Sequence, residues 1–249
     1  MEGAGARAAN RADVQLACSS AVLDHLFVRG EFTQLEWIDF VARSLAVDGV
    51  VFDARHFPRF DVEYLAEVRK LCVDRGLTIA ALAVEDLFLR DEAELDLVFG
   101  LAAAIGTCVL ITTPPVPGEN AVAAWRDAAT RGKAIARLAK RANVTVGVRN
   151  ASDTLCTNAA ELKRLTKDID SSWVRFAPDV SALTAEDLLA LHVRTVITTT
   201  RNLEAPAGDP ARKGFLVLEP PIEEITIPAL VDALRRFAER LMRPAAAAS

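Results

Sequence analysis

Apolar residues along this chain gather in two kinds of segment that take turns: short continuous runs, and longer stretches in which they recur every three or four positions. A continuous run bounded by polar or turn residues predicts a strand covered on both faces, and the three-to-four spacing predicts an amphipathic helix. Strands are predicted at 14–20, 48–57, 78–84, 108–113, 144–150, 173–180, 193–200 and 214–222. Helices fall between them. Thr33 and Glu36 form a capping-box pattern that opens a helix to about residue 46, with Leu35, Ile38, Val41, Ala42 and Leu45 on one stripe. Asp61 caps a second helix, which runs to Arg75 and is stopped by Gly76. Asp91 and Glu94 open a third that ends at Gly106, and a long fourth covers 121–142. Asn158 and Glu161 open a fifth in a pattern that resembles a capping box, Thr184 and Asp187 a short sixth to His192, and the last covers 227–242 with Leu230, Leu234, Phe237 and Leu241 on its apolar stripe. The segment 23–32 is predicted as a loop.

Eight buried strands alternating with helices predict a parallel sheet with right-handed crossovers. In 249 residues that pattern favours a closed (β/α)8 TIM barrel over an open doubly wound sheet. A proline-, glycine- and charge-rich loop at 201–213 shortens or replaces the seventh helix. The chain lacks GxGxxG after the first strand and lacks GxxxxGK[ST], which removes support from the nucleotide-binding forms of the open sheet. One barrel domain is predicted over 13–243, with disordered tails at 1–12 and 244–249.

Composition narrows the function classes. Apolar residues make up 51 % and charged residues 25 %, with a formal net charge of −5. No basic stripe marks a nucleic-acid binder, and no apolar run is long enough to cross a bilayer. Cys18, Cys72, Cys108 and Cys156 show no CxxC spacing, and three of them lie in apolar runs, as reduced buried thiols do. Together with the absence of a secretory signal, this predicts a cytoplasmic protein.

In a barrel, the C-terminal ends of the strands converge on one mouth. Here those ends carry Cys18-Ser19-Ser20, Asp53 with Arg55-His56, Glu85-Asp86, Thr112-Thr113, Arg149-Asn150, Asp179, Thr198 to Thr200 and Glu219. Asp179 and Glu219 each follow a strongly apolar run, where a carboxylate is costly unless it is paired or bound to a cation. A hard divalent metal suits such a ring of oxygens, and pairing with an arginine is the alternative. His56 stands at a strand end as a candidate general base or substrate donor, with a hydrogen-bonded structural histidine as the alternative. Glu85 is a candidate substrate contact, and Arg201 and Lys213 flank the loop after the seventh strand, where either can receive a phosphate or carboxylate.

Taken in order, these segments resemble the sugar phosphate isomerase/epimerase superfamily, the xylose isomerase-like or endonuclease IV-like barrels. The resemblance runs from Val14 to Met242. It rests on Ser19-Ser20, T-x-x-EW at 33–37, DGVVFDARHF at 48–57, the join at 75–79, Asn150, F-x-x-D at 176–179 and Leu218-Glu219. It implies a divalent metal held by Glu, Asp, His and Glu at the ends of strands five to eight, and a proton moved between sugar carbons by the two glutamates. Asp179 matches the aspartate and Glu219 the last glutamate. Arg149 stands in place of the first glutamate, threonines at 198–200 in place of the histidine, and Ala182 where many epimerases carry a further histidine.

A guanidinium stays protonated and cannot ligate a cation. With Asp179 and Glu219 near, Arg149 is expected to occupy the cation's place, so no cofactor is expected, and Mn, Mg or Zn is the alternative the family implies. The expected function is a divergent isomerase or epimerase acting on a small carbohydrate. Its catalytic residues are Glu219 as base and His56 as second donor, with Arg149, Asn150, Asp179, Glu85 and Arg201 in the binding site. A non-catalytic barrel that binds a ligand or partner is the main alternative, and a lyase or hydrolase built on His56 with Glu85 or Asp86 is another. A DNA-repair endonuclease is disfavoured by three histidines and no basic face. Barrels of this group often self-associate, so a homo-oligomer belongs among the expectations, although no interface is identifiable.

Overall fold

The computed structural model describes residues 14–202, 214–219 and 225–242. The tails expected at 1–12 and 244–249, Lys213 and the loop 203–213 that was to replace a helix lie outside the described residues. The strands are β1 Val14–Ser19, β2 Gly49–Asp53, β3 Thr78–Ala83, β4 Val109–Thr112, β5 Thr145–Val148, β6 Val174–Phe176, β7 Thr198–Thr200 and β8 Gly214–Leu218. The helices are α1 Asp24–Val28, α2 Gln34–Ser44, α3 Val62–Asp74, α4 Glu92–Ile105, α5 Ala121–Ala142, α6 Ala159–Ile169, α7 Ala185–Leu191 and α8 Ile227–Met242. All strand pairs are parallel in the order β6-β5-β4-β3-β2-β1-β8-β7. Two parallel bridges, Phe176 to Thr195 and Asp179 to Thr199, join the ends of this sheet, as a (β/α)8 barrel requires.

The seam between β6 and β7 explains why both are shorter than expected. Pro178 has no N–H to give to a ladder, so only its carbonyl is used, accepting from Thr199 N–H at 2.9 Å. Residues 192–194 turn as a 3-10 helix instead of extending the strand. The segment 23–32, expected as a loop, contains α1, because Val22, Leu23 and Leu26 recur at helical spacing and are buried together.

Local chemistry starts and stops the helices. Both bonds of the capping box form at Thr33 and Glu36, at Asp91 and Glu94, and at Thr184 and Asp187. At α6 Asn158 accepts from Glu161 N–H, but the Glu161 carboxylate turns to Thr157 N–H at 2.7 Å, so the box is incomplete. Gly106 ends α4 in the left-handed region at φ 83°, which a glycine enters without steric cost.

Two apolar layers result. The outer one lies between sheet and helices; in it Trp37, Ile38 and Val41 of α2 are fully buried, each worth roughly 1.5–3 kcal/mol. The inner one fills the barrel with Ala17, Val51, Ala81, Ala83, Ile111, Ala177, Ile197 and Val217. At β5 the inner position is Gly147, where a Cβ would stand 2.8 Å from the Cβ of Ala177. Cys18, Cys72 and Cys156 are buried, Cys108 at the foot of β4 is exposed, and all four are free. Among the described residues no helix is long and apolar enough to cross a membrane.

Candidate active site

Side chains of a strand alternate between its two faces, so the residue two places beyond an inner-layer residue looks the same way. Counting two on from the inner layer gives Ser19, Asp53, Glu85, Thr113, Arg149, Asp179, Thr199 and Glu219. The inner apolar layer is thus followed, at the C-terminal mouth, by a ring of polar and charged residues. Of these Ser19, Asp53, Arg149, Asp179, Thr199 and Glu219 are buried.

Arg149 is the centre of the ring. Its guanidinium, 1 % exposed, donates through Nη2 to Glu85 Oε1 and sets Nη1 3.2 Å from Glu219 Oε1. Burial works against its charge, but Glu219 and Glu85 outweigh that penalty and hold its pKa above the ordinary arginine value. Burial pushes the Glu219 carboxyl above the usual carboxylate range, and Arg149 pulls it back only in part. Glu85 is anchored on its other oxygen, which accepts from Thr113 Oγ1 at 2.7 Å. The same burial, with the charge of Glu219, raises the Cys18 thiol too, so it stays protonated and chemically quiet.

The neighbouring pair is looser. Asp179 Oδ2 lies 3.8 Å from Arg201 Nε, while Oδ1 caps the following turn by accepting from Ser181 N–H at 3.0 Å. Asn150 lies beside the ring and its amide clamps the backbone of Asp179, accepting from its N–H at 2.9 Å and donating to its carbonyl at 3.4 Å. Arg149 Nε and Thr199 Oγ1 are buried without a hydrogen-bond partner among the described residues, while Arg149 Nη1 with Glu219 Oε1 and Arg201 Nε with Asp179 Oδ2 meet only as ion pairs. A buried polar atom without a partner costs about 1–3 kcal/mol. Such atoms gathered at one mouth indicate a surface built to receive polar atoms of a ligand.

His56 sits apart from this group, in a 3-10 turn after β2. Nδ1 meets Ser20 Oγ at 2.9 Å, Nε2 meets Asp24 Oδ1 at 2.8 Å, and the ring stacks on Phe27 at 4.0 Å between centroids. Ser20 Oγ also accepts from Asp53 N–H at 2.9 Å. Asp24, Asp53 and His56 bring ligand atoms within 4.8 Å of one another, a geometry open to a metal ion. There the Arg55 guanidinium already donates to both Asp53 oxygens and to Asp24.

The structure therefore brings Arg149, Glu219 and Glu85 together, sets Asp179, Asn150 and Arg201 beside them, and ties His56 to Ser20 and Asp24. The contact of Glu85 with Arg149 is the element that the sequence did not suggest. The i+2 step from the inner layer would have picked Glu85 over Asp86, which instead holds Arg90 on the surface at 2.9 Å.

Residues 40–198 match the family described as xylose isomerase-like TIM barrel. No curated protein sequence matches the chain. Among solved structures, the chain is similar to a D-psicose 3-epimerase crystallised in the presence of D-fructose, with TM-score 0.75 and 14 % identity over 90 % of this chain and 97 % of that one. It is also similar to a 3-keto-D-glucoside 4-epimerase from E. coli, with TM-score 0.71 and 13 % identity over 91 % and 99 %. A third is a probable 3-DHS dehydratase from Bacillus anthracis, with TM-score 0.70 and 13 % identity over 93 % and 100 %. At these identities the likeness is one of fold.

Proposed function

The chain belongs to the xylose isomerase-like TIM-barrel family, and from that premise we propose that its mouth binds a small neutral carbohydrate and rearranges it without a metal ion. The observation that carries this reading is the buried Arg149 guanidinium between Glu85 and Glu219. A divalent cation at the ring needs carboxylate or imidazole donors with room between them. Here a permanent cation supplies the positive charge, and Thr199 offers a hydroxyl at the seventh strand. The ring does not fit the metal that the family resemblance implies.

The charge around the mouth also bears on the ligand. Among the described residues, Asp24, Asp53, Glu85, Asp179 and Glu219 outnumber Arg55, Arg149 and Arg201. Arg201, a candidate phosphate contact in the sequence, already faces Asp179. An added phosphate or carboxylate would meet acids at each turn, whereas hydroxyl and carbonyl oxygens match the unfilled N–H and O–H groups of Arg149, Arg201 and Thr199. Arg149 then polarises a carbonyl and steadies the oxyanion that forms when a neighbouring carbon loses its proton. Glu219 is the base that takes that proton. His56, with both ring nitrogens engaged, shapes the wall instead of serving as second donor. Free cysteines support a reducing, cytoplasmic setting.

A barrel that only binds is the second reading, favoured by a Glu219 side chain just 3 % exposed. Calorimetric titration in EDTA with D-fructose, D-psicose, D-tagatose and fructose 6-phosphate tests the proposal. Binding of a free ketose and weaker or absent binding of the phosphate is expected. Preference for the phosphate, or no binding of any of them, would contradict it, and binding without turnover selects the second reading.

A further inference from the structure

We infer that the outer face of α5 is a docking surface for an acidic protein segment, whose carboxylates lie along a row of cations and whose apolar side chain enters a groove at the end of that row. The inference does not depend on what the mouth binds. α5 carries six cations, Arg126, Arg131, Lys133, Arg137, Lys140 and Arg141, against one acid, Asp127, in a chain whose net charge is −5. Arg126, Lys133, Arg137 and Lys140 recur at steps of seven, four and three, which keeps them on one face of the helix. All four are exposed, and Ala128, Gly132, Ile135 and Ala139 are buried on the other side of the helix. Arg141, beside the row, meets Asp96 of α4. Among the described residues the four cations of the row meet no acid. The expectation of no basic stripe, drawn from the composition of the whole chain, is corrected for this one helix.

Helix stability does not account for the row. Cations suit the last turn of a helix, which covers Lys140 and Arg141 but not Arg126, Lys133 or Arg137. Lys133 with Arg137, and Arg137 with Arg141, are like charges four residues apart, which oppose helix formation. Other helices of the barrel do the reverse: Asp39 with Arg43 on α2, Lys70 with Asp74 on α3 and Asp232 with Arg235 on α8 pair opposite charges three or four apart.

At the N-terminal end of the row lies an open groove of about 460 Å³, lined by Pro117, Val122, Trp125 and Leu155 together with Arg126 and Arg164. Val122 is 80 % exposed, an apolar group left to water. Trp125 is fixed in place: its Nε1 donates to Asp168 Oδ2 at 2.8 Å, and the Arg164 guanidinium lies over the ring at 4.3 Å. Glu161, the acid in the same lining, is already held by Thr157. A polyanion such as a nucleic acid would also be drawn to the cations, but Arg164 takes the ring face on which a base would stack. A segment with carboxylates beside one large apolar residue uses both the row and the groove.

The experiment uses the full chain and fluorescein-labelled peptides of about 15 residues, which as a helix span the roughly 21 Å from Arg126 to Lys140. One peptide is made of glutamate and alanine with a single phenylalanine near one end, and a second has alanine in place of that phenylalanine. Single-stranded DNA of similar length and phosphatidylserine vesicles are the comparisons. By fluorescence anisotropy the phenylalanine peptide is expected to bind, about tenfold or more tighter than the alanine peptide, and more weakly as salt is added. Arg126→Glu with Lys133→Glu is expected to weaken that binding by about tenfold or more. The melting temperature is expected to hold, since the second change places a carboxylate four residues before Arg137, the favourable order on a helix. Val122→Glu is expected to remove the difference between the two peptides. Arg235→Glu with Arg236→Glu on α8, the same change in net charge away from the row, is expected to leave binding nearly unchanged. No binding of the phenylalanine peptide, equal binding of the two peptides, or binding that survives Arg126→Glu with Lys133→Glu overturns the inference. So does an equal loss in the α8 variant, or tighter binding of the DNA or the vesicles than of the peptide.

Discussion

The interior of this barrel and its mouth are one residue pair apart on the same strands, yet they are built on opposite terms. Inside, Ala17, Val51, Ala83, Ile111, Ala177, Ile197 and Val217 fill the space with small and branched apolar groups. Two positions on, Ser19, Asp53, Glu85, Thr113, Asp179, Thr199 and Glu219 surround a buried arginine and leave polar atoms without hydrogen-bond partners among the described residues. The inner layer is close to what packing alone would choose. The ring above it departs from that choice, and natural proteins depart from it at functional sites. The difference is what supports the proposed site in this layer of side chains.

The sharpest way to break the comparison is to remove the cation. Arg149→Met removes the nearest cation from buried Glu219, and loss of one partner from a buried pair costs about 3–5 kcal/mol. Thermal unfolding is expected to drop by roughly 10 °C for a chain of this length. Adding Glu219→Leu to Arg149→Met is expected to recover much of the loss, because an apolar replacement of the whole pair leaves no orphan charge. An unchanged melting temperature in the single variant would show that the guanidinium is not seated as described.

The inner layer offers the counterpart. Gly147→Ala places a Cβ 2.8 Å from that of Ala177 and 3.1 Å from Val196 Cγ2, and overpacking of this sort costs about 1–3 kcal/mol. Chemical denaturation is expected to show that loss with sugar binding reduced only as far as Arg149, two residues on, is displaced. No loss of stability would mean that the barrel interior is looser than its contacts indicate.

The smallest effect is the pH dependence of Glu219. Its folded pKa lies above the unfolded value, chiefly through burial. The folded chain therefore holds that proton more tightly than the unfolded one. The stabilisation it gives is present below the unfolded pKa and is lost as pH rises through the folded pKa. Between pH 4 and pH 8, wild-type protein is expected to lose stability relative to Glu219→Gln, by about 1.4 kcal/mol for each unit of raised pKa. Parallel curves for the two proteins would show that Glu219 is not desolvated in the folded state.

Much of the fold could be read from periodicity because parallel strands covered on both faces are unbroken apolar runs, and helices between them carry their own caps. Strand ends were less legible: Pro178 and the turn at 192–194 shorten β6 and β7 through effects of the seam that one segment alone does not reveal. At the mouth, Arg149, Asp179 and Glu219 were visible because a charge directly after an apolar run needs a reason. The Glu85 contact was not, since it depends on a side chain reaching across from β3 to an arginine on β5, 64 residues away in sequence. His56 was conspicuous as a histidine at a strand end, but its nitrogens are engaged by Ser20, at the end of the first predicted strand, and by Asp24, from a segment expected to be a loop.

In the proposed function the Arg149 guanidinium takes the place of a bound ion at the mouth. That role is tested most directly by measuring the metal content of the purified protein and repeating the D-fructose titration in EDTA and after addition of Mn2+. No stoichiometric metal at the ring and the same affinity in both conditions are expected. One equivalent of Mn, Zn or Mg bound through Asp179 and Glu219, with sugar binding that vanishes in EDTA, would contradict it.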